Sequence, residues 1–354
     1  MRCKNFSKFF SVILAAVISV TLFTVAFAAN SGDCGADVSW SFDEATGELT
    51  ISGNDAMTDY DKAEDAPWYS FADKISKITV SDGVTSIGRY AFNGFKSLTE
   101  ISLPDGLKTI GYGAFDSCTS LRSITIPSSV KKLNASPFFN CTALEAITVE
   151  DGNKYYSSDN DGVLYNADKT ELVQYPCGRK FANFIVPFTV TSINQGAFAG
   201  AEKLLNVVIS EPTETIDSMA FYGCTALKTV TIPKSVEMIG EKAFSKCDSL
   251  AEIYYTGTQE EWNAISLRND NESISVATFK YETKGPDAVP ENIQSEPQQT
   301  TTTSPAETES IITREDVVEK REIIPIILIG IAAVILVLII ILIRVIVKKK
   351  PDTE

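Results

Sequence analysis

The side chains of this chain that could carry chemistry are its thiols and carboxylates, because its 354 residues include no histidine. Triads with an imidazole base and metal sites built on imidazole nitrogen are therefore out of reach. Cys118, Cys141, Cys224 and Cys247 recur at one place in a repeating pattern, and no C-x-x-C pair suggests zinc or thiol exchange. Phe95 and Ala201 fill the same place elsewhere. A place that accepts Phe, Ala or Cys is a core place, so the thiols read as small buried apolar groups. Export, argued below, would also permit bridges between stacked neighbours, near the lower Cα limit for a disulfide. Asp159-Asn160-Asp161-Gly162 has the acidity of a calcium loop but lacks the twelve-residue ligand spacing and the closing Glu. Asx-turn chemistry accounts for it better. Glu260 and Glu261 are adjacent in sequence, do not face each other, and read as solvated. No cofactor is called for.

The elements that would position any site are set by a repeat. Phe92, Phe115 and Phe138 are 23 residues apart, as are Phe198, Phe221 and Phe244. Leu98, Leu121, Leu144, Leu204, Leu227 and Leu250 keep that step, and so do Ile87, Ile110, Leu133, Ile193, Ile216 and Ile239. The doublets Ile78/Val80, Ile101/Leu103, Ile124/Ile126, Ile147/Val149 and Val230/Ile232 alternate apolar with polar, so each predicts a short half-buried strand. Pro104, Pro127, Pro187 and Pro233 follow at once; lacking an N–H, they end the ladder and turn the chain. One such coil cannot bury its apolar residues alone, whereas stacked coils share a continuous core. The pattern predicts a solenoid of about seven coils over 74–253.

The unit Leu121-Arg122-Ser123-Ile124-Thr125-Ile126-Pro127, followed by Val130 and Leu133, resembles the BspA-like bacterial class of leucine-rich repeats. No Asn follows the strand as in plant and animal repeats; Pro and a second apolar residue take that corner. The resemblance spans about 34–281. It implies a leucine-rich repeat solenoid, mainly β with short helical turns, curved with its strands on the concave side. It also implies a secreted or surface protein linked to adhesion and host-protein binding.

Around the repeats the chain reads as an exported, anchored protein. Residues 1–28 are expected to be a signal peptide, with Arg2, Lys4 and Lys8, an apolar run, and Ala26-Phe27-Ala28 for cleavage. Residues 29–73 suit an N-terminal cap. A hairpin is expected from Val38–Phe42 and Glu48–Ile51, with Trp40 and Trp68 covering the first coil. That assignment is preferred to a ligand-stacking role for Pro67-Trp68-Tyr69. One coil, 145–181, is lengthened by a hairpin of Val163-Leu164-Tyr165 and Leu172–Tyr175. Residues 254–281 suit a C-terminal cap, with a capping box at Thr258–Glu261 and a last strand within Ser275–Tyr281. An acidic Thr/Pro stalk is expected over 282–322, a transmembrane helix over 323–343, and a basic cytoplasmic tail over 344–354. The positive residues after the span place the N-terminal mass outside the cell.

Without the basic termini 1–29 and 344–354, 24 basic residues face 44 acidic ones, a net of −20. Such a charge argues against nucleic acid as a partner. Strand alternation turns Thr79, Ser102, Thr125, Thr148, Ile185, Val208, Thr231 and Tyr254 outward. Lys77, Glu100, Ser123, Asn206, Thr229 and Glu252 lie at the edge of that face. This face is the expected binding site for an extracellular protein or glycan, on a non-catalytic surface protein held by one C-terminal membrane helix. A structural envelope component holding wall polymer is the alternative, and a glycan-cleaving carboxylate pair ranks third. Protease added to intact cells should release a folded fragment by cutting between about Glu282 and Glu322. Protection of the repeats until membrane lysis would reverse the assigned orientation.

Overall fold

The computed structural model describes residues 30–285. The expected signal peptide, most of the stalk, the 323–343 span and the tail lie outside the described residues. Among the described residues no helix is long and apolar enough to cross a membrane.

Two rows of short strands run through the molecule. The front row holds Lys77–Val80, Glu100–Ser102, Ser123–Ile126, Ala146–Val149, Asn183–Ile185, Asn206–Val208, Thr229–Ile232, Glu252–Tyr255 and Thr278–Lys280, one per turn. A second row pairs residues such as Ser86–Ile87 with Thr109–Ile110, and Ser192–Ile193 with Thr215–Ile216. The solenoid therefore has about nine stacked turns rather than seven. The stretch expected to hold seven coils itself carries eight front strands, from Lys77–Val80 to Glu252–Tyr255, and the exit module adds a ninth, Thr278–Lys280, parallel to Glu252–Tyr255. The N-terminal hairpin forms as expected, and its strand Glu48–Gly53 joins the front row beside Lys77–Val80. Among the described residues helix is confined to the end modules, in pieces of three to six residues. The corners of the repeats are turns and not helical.

Those corners use a device that side-chain periodicity does not reveal. Tyr90, Gly113, Ser136, Gly196, Met219 and Lys242 all have positive φ, and so do Gly94, Ser117, Asn140, Gly200, Gly223 and Lys246. Six coils thus make two left-handed bends flanking the Ala-Phe pair, which is Pro137-Phe138 in one of them. Between them the Phe N–H donates to the carbonyl just before the Phe of the next coil, as from Phe92 to Ala114 at 2.9 Å and from Phe198 to Ala220 at 2.7 Å. The rings stack in step: Trp68, Phe92, Phe115 and Phe138 at 5.5–5.7 Å, then Tyr175, Phe198, Phe221 and Phe244 at 4.6–4.9 Å. Tyr175 takes the Phe place of the lengthened coil, 23 residues before Phe198.

The insert is more than a protruding hairpin. Tyr156–Ser158, Leu164–Asn166 and Glu171–Gln174 form an antiparallel run, and the last of them also pairs in parallel with Ser192–Ile193. That last strand is therefore the coil's own. The insert's loop occupies the free edge of Ala146–Val149: Ile147 N donates to Gly162 O at 3.0 Å and Val149 N to Ser158 Oγ at 3.1 Å. The front row is interrupted there, and the core divides into two clusters meeting at Val163 and Leu164. Phe181, in the Leu place that is buried in every other coil, is 44 % exposed. Arg179 is nearly buried beside it, its guanidinium 4.8 Å from the Phe181 ring and 3.2 Å from Asp161 Oδ1.

Each end of the stack closes the Ala-Phe ladder with a side chain. At the first coil, Trp68 Nε1 donates to Ala91 O at 2.8 Å, a carbonyl with no earlier coil to serve it. At the last coil, Asn271 Oδ1 accepts from Phe244 N at 2.9 Å, while its Nδ2 donates to Gly240 O at 2.9 Å. Leaving such buried groups unpaired costs about 1–3 kcal/mol each. Asn271→Ala should therefore destabilise the domain by about 2–4 kcal/mol, read as a fall in thermal midpoint. A variant melting with the parent would mean that another group closes this end.

Candidate functional site

The expected face exists, in three blocks. In the first, Glu48, Lys77 and Glu100 stand in register along the edge, and Thr79 beside Ser102. Lys77 Nζ lies 3.3 Å from Glu48 and 4.0 Å from Glu100. Thr79 Oγ1 donates to Glu48 at 2.6 Å, and this hydroxyl, helped by Lys77, holds the Glu48 carboxyl below its usual range. In the second block Thr125 faces Thr148, with Ser123 beside Ala146. Ser102, Ser123, Thr125 and Thr148 are exposed. The third block runs Ile185, Val208, Thr231, Tyr254 and Lys280 in register, edged by Asn183, Asn206, Thr229 and Glu252. Asn206 and Thr229 spend their polar groups on a chain of 2.7 Å hydrogen bonds with Asn183.

Two of the expected outward residues are not free. Thr231 and Tyr254 are 5 % and 7 % exposed, because Glu282–Gly285 lies over them. Ile185 and Val208 are half-buried. Glu48, Asn183 and Lys280 belong to the face but were outside the expected set. The first and last sit on strands of the end modules, where the 23-residue repeat gives no register.

The BspA-type leucine-rich repeat model matches residues 66–178 and 173–284, in six copies. The chain belongs to this family. A leucine-rich repeat protein from Eubacterium ventriosum is 28 % identical, with 64 % of this chain and 72 % of that one covered and a TM-score of 0.45. A leucine-rich cell surface protein from Faecalibacterium prausnitzii is 20 % identical over 66 % of this chain and 97 % of that one, at a TM-score of 0.40. The pneumococcal vaccine antigen PcpA is 21 % identical over 59 % and 67 %, at 0.43. No curated protein matches the chain.

The groups that could carry chemistry in these BspA-type repeats have structural partners. Among the described residues the six thiols are free and buried. Cys118, Cys141, Cys224 and Cys247 donate to the carbonyls of Phe92, Phe115, Phe198 and Phe221 at 3.0–3.2 Å, so each thiol ties its coil to the one before. Asp159 makes an Asx turn, accepting from Asp161 N at 3.0 Å, Val163 N at 2.9 Å and the Tyr165 hydroxyl at 3.1 Å. Asp161 faces Arg179. Among the described residues no cluster of three or more acidic or thiol groups could hold a metal. Glu261 completes the capping box with Thr258, as expected. Trp68 is fully buried as a cap, while Trp262 is half-buried against Phe279.

Burial pushes the Cys177 and Cys34 thiols up to about 12 and raises Cys118, Cys141 and Cys224 strongly. In the unfolded chain they ionise near about 8.5. The unfolded state then loses protons first, so stability is full below that pH and falls as pH rises toward the folded values. Denaturation midpoints should drop progressively above about pH 9, and iodoacetamide at pH 8 should leave these six thiols unmodified in the native protein. Rapid native alkylation would refute the burial.

Proposed function

We propose that the chain is a non-catalytic binding protein of the cell surface, held by one C-terminal membrane helix, and that it engages an extracellular protein or glycan through its strand face. The observation that carries this is the open block of hydroxyls at Ser102, Ser123, Thr125 and Thr148. Their side chains are short and exposed, so a broad polar partner can approach the backbone and hydrogen-bond along several rungs. Glu48, Lys77 and Glu100 flank the block with alternating charge, which favours orientation of a partner over raw affinity. The carboxylates of the front row are tied to Thr79, Lys77, Lys280 and Tyr254. Carboxylates held in this way suit recognition of a polar partner.

The test is a screen of the purified chain against matrix proteins, glycans and wall fragments, followed by Ser102, Thr125 and Thr148 each changed to Lys in one variant. Thr231 is excluded because it is covered. A triple variant with an unchanged melting profile should lose attachment by about tenfold or more. Undiminished attachment would move the site to the end modules or the insert. Retained wall polymer alone would favour a structural envelope role, and hydrolysed glycan an enzyme.

A further inference from the structure

The chain does not leave the solenoid at Tyr281. Glu282 N donates to Gly257 O at 2.9 Å and Thr283 N to Tyr255 O at 3.3 Å, which turns the backbone over the front row. Thr231 Oγ1 donates to Lys284 O at 3.3 Å. Gly285 follows with φ of +76°, and a Cβ there would lie 2.9 Å from Tyr254 Cγ and 3.0 Å from Thr231 Oγ1. Only glycine fits so close to the ring and adopts that conformation without strain.

The seat beneath this strap is organised. The Tyr254 hydroxyl donates to Glu252, which lowers the Glu252 carboxyl after the larger effect of Lys280. Lys280 Nζ lies 2.7 Å from Glu252 and 4.8 Å from the Tyr254 ring centroid. Tyr254 is thus held by charge and hydrogen bonds that do not involve the strap. Thr125 and Thr148, at the same strand place, are exposed where no segment crosses them.

We propose that Thr231, Tyr254 and the carbonyls of Tyr255 and Gly257 form a binding site for a turned, glycine-containing peptide, and that Glu282–Gly285, left-handed at Glu282 and Gly285, is its resident and displaceable occupant. The recognition chemistry is explicit. Two carbonyls take successive peptide N–H groups, one hydroxyl gives to a peptide carbonyl, and the tyrosine face admits a residue without Cβ. Three hydrogen bonds across a solvent-facing segment make a low-stability contact, of the kind that opens locally while the fold persists. A competing peptide works against a tethered one, whose effective concentration is on the order of millimolar. This site is distinct from the open Ser102–Thr148 block, so its test needs no outside partner and can fail without touching the reading above.

The probe is the end-blocked, fluorescently labelled peptide Glu-Thr-Lys-Gly-Pro, which copies residues 282–286, titrated into the full chain and into Gly285→Val. In the variant the strap should be expelled, so that tetranitromethane nitrates Tyr254 about tenfold faster or more. The peptide should bind the variant about tenfold more tightly than the parent and restore protection of Tyr254. The same peptide with Val in place of Gly should bind neither. Tyr254 equally shielded in the variant, or equal binding of the Val peptide, would overturn the proposal. Protection of Tyr254 by a chito-oligosaccharide but not by the peptide would overturn it in favour of a sugar site. Should Gly285→Val fail to fold, excess peptide added to the parent must accelerate hydrogen exchange at the Glu282 and Thr283 amides. Unchanged exchange would then overturn it.

Discussion

The structure depends on the bond that the Phe N–H of one coil makes to the carbonyl just before the Phe of the following coil, as from Phe92 to Ala114, Phe115 to Pro137, Phe198 to Ala220 and Phe221 to Ala243. It lies between two left-handed bends, and it brings successive rings to within 4.6–5.7 Å of each other. No single coil contains both partners of that bond. A turn of this solenoid is therefore defined by its neighbour, which is why it can be extended by repetition but cannot simply stop. Trp68 and Asn271 supply the missing partner at either end by unrelated chemistry, one with a ring N–H and the other with a side-chain amide. The cysteines tie the same corner, giving their weak S–H to the carbonyl of the stacked Phe, which neither Phe95 nor Ala201 can do.

Most of the architecture was legible because side-chain burial repeats every 23 residues. The Leu, Ile and Phe places named core positions, and Leu121, Ile124 and Phe115 are indeed buried. What escaped was carried by the backbone. Positive φ at Met219 and Lys242 has no side-chain signature, since glycine serves at Gly113 and Gly196 in equivalent coils. The additional rungs Glu48–Gly53 and Thr278–Lys280 pair with the repeats through main-chain bonds, although their residues follow no repeat.

The candidate face shows the same division. Alternation gave the correct side for Ser102, Thr125 and Thr148, because that rule is local to a strand. It could not show that Thr231 and Tyr254 are covered, because the covering segment lies 53 residues beyond Thr231 in the sequence. Nor could it show the interruption at Ala146–Val149, where a loop replaces the next strand as hydrogen-bond partner. The face is therefore graded along its length: charged at the entry, hydroxyl-rich and open in the middle, apolar after the insert, and occupied at the exit.

The insert has a mechanical meaning apart from recognition. On its two sides lie separate hydrophobic clusters, and the joint between them contains a guanidinium and a half-exposed aromatic where the other coils bury a leucine. In a linear array, order passes from one element to the next through nearest-neighbour contacts alone. Cooperativity is then limited by the weakest joint. Each half has its own cap and its own aromatic stack, so heat or pulling can disorder one while the other keeps its native contacts, and the insert acts as a firebreak against total unravelling.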